Sequence, residues 1–125
     1  MYVYMLLCED DSFYIGIAKD MKKRWQEHRL RLPAAAKYTK SHPVKAPAAL
    51  WEVVCDDAKT TASVAAKAEY ALKQLRHTEK AKVAADQTED RVLKELFAQK
   101  NGGKNAMLTV CLKRIDLTST DVFDP

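Results

Sequence analysis

A chain of 125 residues, 47% hydrophobic and 30% charged, has the size and composition of one soluble globular domain. No apolar run approaches the ~18–20 residues that cross a bilayer, and no basic stretch leads into an apolar one at the N-terminus, so the expectation is a cytoplasmic protein rather than a membrane or secreted one. The net charge of +4 hides an asymmetry: nine basic residues between Lys19 and Lys45 face only Asp20 and Glu27, which makes that segment +7 and the remainder −3. A localised positive segment is what binding a polyanion requires, although a lysine-rich helix alone is commonly just a solvated face.

Tyr2 to Cys8 is β-branched, aromatic and aliphatic and reads as a strand; Glu9 to Ser12 is a polar turn, and Phe13 to Ile17 a second strand. In this hairpin Tyr4 and Tyr14 share a face only if the loop has an odd number of residues or a bulge, because side chains alternate with period two. Asp20 suits a helix N-cap, with Met21 to Leu32 following, Pro33 as the stop, and Trp25 and Leu32 facing inward. Arg24 and His28, four residues apart, lie on one face of that helix. Residues 33 to 48, with three prolines, read as a long loop with little regular structure.

Leu50 to Cys55 reads as a third strand. Thr60 to Arg76 is an alanine-rich amphipathic helix with Val64, Ala68, Leu72 and Leu75 inward and Glu69 and Lys73 on a neighbouring face. Thr78 is expected to cap a short helix and Thr88 another, whose apolar positions are Val92, Leu93, Leu96 and Phe97. Asn101-Gly102-Gly103 closes that helix. Ala106 to Ile115 reads as a fourth strand and Asp116 to Pro125 as a frayed acidic tail. Cys8, Cys55 and Cys111, odd in number and far apart, read as buried reduced thiols. The fold class expected is α/β (α+β): a small antiparallel three-stranded sheet flanked by helices over residues 1–77, and a helix-strand extension over 78–125 within the same compact unit.

The ordered series Tyr4, Tyr14, Arg24, His28 and Glu69, with Tyr2-Val3-Tyr4 and Tyr14-Ile15-Gly16 as two half-motifs, resembles the GIY-YIG nuclease family. Ala36-Lys37-Tyr38-Thr39, Pro43-Val44-Lys45 and Ala68-Glu69-Tyr70 are similar to its small stand-alone bacterial members, so the likeness extends from Tyr2 to Leu75. Two positions depart from the family pattern: Tyr2 stands where glycine is usual, and Ile17 where a lysine or threonine is frequent.

The resemblance implies a metal-dependent endonuclease hydrolysing DNA phosphodiester bonds. Glu69 would hold one divalent cation, Mg²⁺ or Mn²⁺, both of which favour oxygen ligands. Arg24 would hold the phosphate oxygens. Tyr4, ahead of Tyr14, would take the proton of the attacking water, and His28 would serve as base or proton relay. Lys23, Lys37, Tyr38, Lys40, His42 and Lys73 would line the nucleic-acid path, with Tyr38 as a stacking surface. Single-stranded, branched and duplex DNA all stay open as substrates, and so does RNA. Two rivals stand beside this reading: an inactive nucleic-acid-binding module of the same fold, and an interaction protein pairing through its C-terminal strand.

Overall fold

The computed structural model describes residues 1–86 and 90–124. Strand β1 (Tyr2–Cys8) and strand β2 (Phe13–Ala18) form the expected hairpin. Cys8 N donates to Ser12 O at 2.8 Å, which leaves a three-residue loop of Glu9, Asp10 and Asp11, with Asp11 in the left-handed region at φ 66°. The loop is therefore odd. Tyr4 sits opposite Gly16 and Leu6 opposite Tyr14, so both tyrosines project from one face of the sheet.

Helix α1 spans Met21–Arg29, and the Asp20 carboxylate accepts from Lys23 N at 3.1 Å as its N-cap. It ends earlier than the Leu32 expected, because Arg31 turns left-handed at φ 51° and leaves Leu32 exposed rather than inward. The expected loop over 33 to 48 is also corrected. It contains a short helix α2 (Lys37–Ser41) and the first half of a long strand β3 (Val44–Val53). Pro47 disguised that strand. It lies beside a bulge between Met5 and Leu6, on a stretch of β3 whose other edge carries no partner strand among the described residues, so its missing N–H leaves no ladder bond there unmade.

Helix α3 (Ala58–Lys73) starts at Asp57, whose carboxylate accepts from Thr60 N at 2.8 Å. It buries Ala65, Ala68, Ala71 and Leu72, while Val64 is only partly covered. Helix α4 (His77–Ala85) is capped at Arg76, not at Thr78: Glu79 in its first turn accepts from Arg76 N at 2.8 Å. Thr88, expected as a cap, lies outside the described residues. Helix α5 (Arg91–Gln99) buries Leu93 and Phe97, and the left-handed run Asn101-Gly102-Gly103 follows it. The expected strand over Ala106 to Ile115 shrinks to β4 (Leu112–Arg114), because a 3₁₀ segment runs up to Val110.

The sheet has four strands in the order β2-β1-β3-β4, all antiparallel, one more than the three expected for the core sheet, because β4 of the extension pairs with Trp51–Val53. One face of it, with Val3, Met5, Ile15, Trp51 and Val53, packs on α3, α4 and α5. The other face carries Tyr4, Leu6 and Leu50, covered by Met21 and Trp25 of α1. The tail is not frayed: Phe123 meets Trp25 edge-on at 5.3 Å, with Leu117 and Val122 in the same cluster. Beneath β3, Trp51 Nε1 donates to Asp90 Oδ2 at 2.8 Å, and Arg114 pairs with Asp90 Oδ1 at 2.8 Å while donating to the carbonyls of Val83 and Ala84. Of the three free cysteines only Cys8 is buried; Cys55 and Cys111 are partly exposed. Among the described residues no helix is long and apolar enough to cross a membrane.

Candidate active site

The hairpin and α1 bring four of the expected residues together. Tyr4 comes from the middle of β1, Tyr14 from the start of β2, and Arg24 and His28 from the face of α1 that covers them. The tyrosine rings lie 6.1 Å apart, and His28 stands 5.6 Å from the ring of Tyr4 and 5.2 Å from that of Tyr14. Gly16 makes the room. A Cβ there would fall 2.5 Å from Tyr4 Oη and 2.6 Å from Tyr4 Cζ, closer than any side-chain carbon sits, so the glycine of Tyr14-Ile15-Gly16 is required by the phenol opposite it.

A buried hydrogen-bond chain runs through the cluster. Tyr4 Oη lies 2.7 Å from His28 Nε2, His28 Nδ1 lies 2.7 Å from Thr39 Oγ1, and the Thr39 hydroxyl donates to Ala36 O at 3.1 Å. Tyr4, His28 and Thr39 are all fully buried. Burial holds the Tyr4 phenol well above its ordinary pKa, with the neighbouring Tyr14 phenol adding to the effect and Arg24 opposing it. Burial, reinforced by the Arg24 charge, pulls His28 down to about 4, so its imidazole is neutral at pH 7. Tyr14, by contrast, is partly exposed.

Arg24 is braced on two sides. Its Nη1 donates to Glu27 Oε1 at 3.1 Å and to Ala34 O at 2.7 Å, and Nε reaches towards Tyr4 Oη at 3.4 Å. Its other terminal nitrogen has no partner among the described residues. Beyond Tyr14, α2 carries a ladder of rings: Tyr38 stacks on Tyr14 at 5.9 Å and on His42 at 4.0 Å, with His42 Nδ1 held by Asp10 Oδ2 at 2.6 Å. Of the lysines expected along the nucleic-acid path, Lys23 and Lys37 are exposed without a carboxylate partner among the described residues. Lys40 donates to Pro33 O at 2.8 Å, bracing the loop, and Lys73 pairs with Glu69.

A match to the GIY-YIG catalytic domain covers residues 1–83. The chain belongs to the GIY-YIG family. This is a nuclease superfamily whose members act on nucleic acids. The chain is also similar to UPF0213 proteins of several bacteria. One from Staphylococcus saprophyticus is 35% identical over 85 residues, 68% of this chain and 94% of that protein. One from Fusobacterium nucleatum is 61% identical over 44 residues, 34% of this chain and 41% of that protein. One from Xanthomonas campestris is 34% identical over 73 residues, 58% of this chain and 64% of that protein. The chain thus spans less than two thirds of the Fusobacterium and Xanthomonas relatives. No solved structure matches.

Glu69, the residue the GIY-YIG resemblance assigns to a metal, lies on α3, the helix packed on the sheet face that carries Val3, Met5 and Ile15. Its carboxylate is half-buried and reaches Lys73 Nζ at 3.7 Å. A pair of that kind contributes only ~0.3–0.5 kcal/mol, so it does not hold the carboxylate away from a cation. Among the described residues no group of three or more His, Cys, Asp or Glu could form a cage. The donor set fits Mg²⁺, which keeps most of its waters and takes one or two carboxylates together with substrate phosphate. The sequence reading missed Thr39, Asp10 and Glu27 as supports of the site. Thr39 stood inside the Ala36-Lys37-Tyr38-Thr39 motif, but no periodicity links it to a histidine eleven residues earlier.

Proposed function

We propose that this chain is a metal-dependent endonuclease that hydrolyses phosphodiester bonds in DNA. The observation that carries the reading is the convergence of Tyr4, Arg24 and His28, joined by hydrogen bonds, with Tyr14, joined by ring contacts, into one cluster on one sheet face, beside the exposed cations of α1 and α2. Arg24 offers its unpartnered terminal nitrogen to a non-bridging phosphate oxygen and counters the charge that grows there. Full burial and an existing bond to His28 take Tyr4 out of contact with the attacking water, so the base is Tyr14, with Tyr4 behind it. The water proton passes to Tyr14 Oη, and Tyr4, whose ring packs 6.1 Å from that of Tyr14 and whose hydroxyl lies 2.7 Å from His28 Nε2, would carry a proton onward to His28. The net result is hydroxide at phosphorus, with His28, neutral at rest, as the transient acceptor of the proton. Glu69 would hold one Mg²⁺ or Mn²⁺, which supplies Lewis-acid stabilisation of the phosphate and the leaving oxygen. Unpaired bases would stack on the Tyr38–His42 ladder, which favours single-stranded or branched DNA over duplex.

The test is cleavage of end-labelled single-stranded, branched and duplex DNA with Mg²⁺, with Mn²⁺ and with chelator, beside Glu69→Ala. Metal-dependent cutting that disappears in Glu69→Ala is the expected result. Equal gel shifts by both proteins with no cutting would replace this reading with the inactive binding module.

A further inference from the structure

We propose that Thr39 is a positioning residue that fixes His28 as its Nδ1–H tautomer, leaving Nε2 as the acceptor for the Tyr4 proton. The inference rests on the nuclease reading for its consequence, but its structural half stands alone. A threonine hydroxyl has one hydrogen to give. That of Thr39 has a carbonyl acceptor in Ala36 O, 3.1 Å away, and once given there it leaves only the oxygen's lone pairs for His28. His28 Nδ1, 2.7 Å from that oxygen, must therefore carry the ring hydrogen. A neutral imidazole has a single N–H, so Nε2 presents its lone pair to Tyr4 Oη at 2.7 Å and the phenol is the donor.

The polarity matters because the chain is sealed. Tyr4, His28 and Thr39 are all fully buried, so no solvent competes to reorient the protons, and α2 exists here as the support that brings Thr39 beneath the ring. With the opposite tautomer an N–H would point at Tyr4 Oη. The phenol could then receive a hydrogen bond but could not discharge a proton, and the path from Tyr14 would stop at Tyr4. Thr39 touches neither phosphate nor water in this scheme; it acts through His28 alone, as the partners behind a catalytic imidazole do elsewhere.

The experiment is a long-range ¹H–¹⁵N correlation of the imidazole nitrogens at neutral pH, on the full chain without DNA, for wild type, Thr39→Val and Thr39→Ser. It is paired with steady-state cleavage by the same three proteins. His28 should be protonated at Nδ1 in wild type and in Thr39→Ser, and should shift towards Nε2–H or a mixture in Thr39→Val. Cleavage by Thr39→Val should fall ~10–100-fold in kcat with KM unchanged, and Thr39→Ser should recover it. Wild-type His28 found as Nε2–H overturns the proposal, as does a Thr39→Val protein that keeps both the tautomer and the rate. If wild type cuts no DNA, the nuclease reading fails by itself, and the spectra still decide whether Thr39 sets the tautomer.

Discussion

Gly16→Ala is the substitution whose effect the structure specifies most fully. The added carbon would stand 2.5 Å from Tyr4 Oη, and ordinary contact begins near 3.4 Å, so something must yield by about 0.9 Å. The backbone of β2 is held in register with β1 on one side of the sheet, which leaves the phenol as the part that moves. Its hydroxyl is bonded to His28 at 2.7 Å, and a displacement of that size breaks the bond. Overpacking of this kind costs ~1–3 kcal/mol, which for a domain of this length lowers Tm by roughly 4–12 °C. The kinetic cost is separate from this, because a misplacement of ~1 Å in a reacting group is worth ~100-fold in rate. Differential scanning calorimetry beside single-turnover cleavage separates the two. Tyr4→Leu supplies the control: it removes both Oη and Cζ, the atoms within 2.6 Å of the added carbon, so Gly16→Ala should cost much less stability in that background than in wild type. A Gly16→Ala chain with wild-type Tm and wild-type rate would show that the phenol does not occupy the space described, and the relay built on it would fall.

Other outcomes follow from the same geometry. His28 binds its proton at about 4 in the folded chain against ~6.5 unfolded, so the unfolded state takes up more protons as the pH drops. Stability is thus whole above ~6.5 and declines by ~3 kcal/mol as the pH falls to 4, read as urea midpoints; His28→Gln should lack that decline. Asp10 and Glu79, both held down to about 2, contribute stability that is whole above their ordinary carboxylate range and is lost as the pH falls from there towards 2. Arg114→Met should cost ~3–5 kcal/mol by stranding the buried Asp90 carboxylate, and a loss under ~1 kcal/mol in chemical denaturation would contradict the pairing. Replacing Lys23 and Lys37 together by Gln should make the log Kd against log salt plot for single-stranded DNA shallower by roughly 1.4, and an unchanged slope would remove both from the phosphate path.

The cluster of Tyr4, Tyr14, Arg24 and His28 was legible because its spacing coincides with structural periods. An odd loop puts two tyrosines ten residues apart on one face, and a four-residue step puts Arg24 and His28 on one side of α1. Strand β3 was not legible at its start, since Pro43 and Pro47 speak for a loop, and only an unpaired edge and a bulge let Pro47 join a ladder. The tail was misread for a different reason. Its carboxylates suggest solvent, yet Leu117, Val122 and Phe123 find an apolar face on Trp25 that no local pattern announces. Thr39 and Asp10 act across 11 and 32 residues of chain, and contacts of that span are set by how the elements pack, not by any repeat within them.

The Trp51–Asp90–Arg114 triad has a consequence for how portable this nuclease fold is. The family match stops at residue 83, yet the indole of β3 and the apolar side chains above it are finished by groups contributed further along: Asp90, Leu93, Phe97 and Arg114. A gene fusion that borrowed only residues 1–83 as a cutting cassette would carry away a sheet with a raw apolar face and an indole N–H with nothing to bind. In this chain the extension is the lid of the casket rather than cargo strapped to it, and the smallest piece that keeps the core closed runs on through β4.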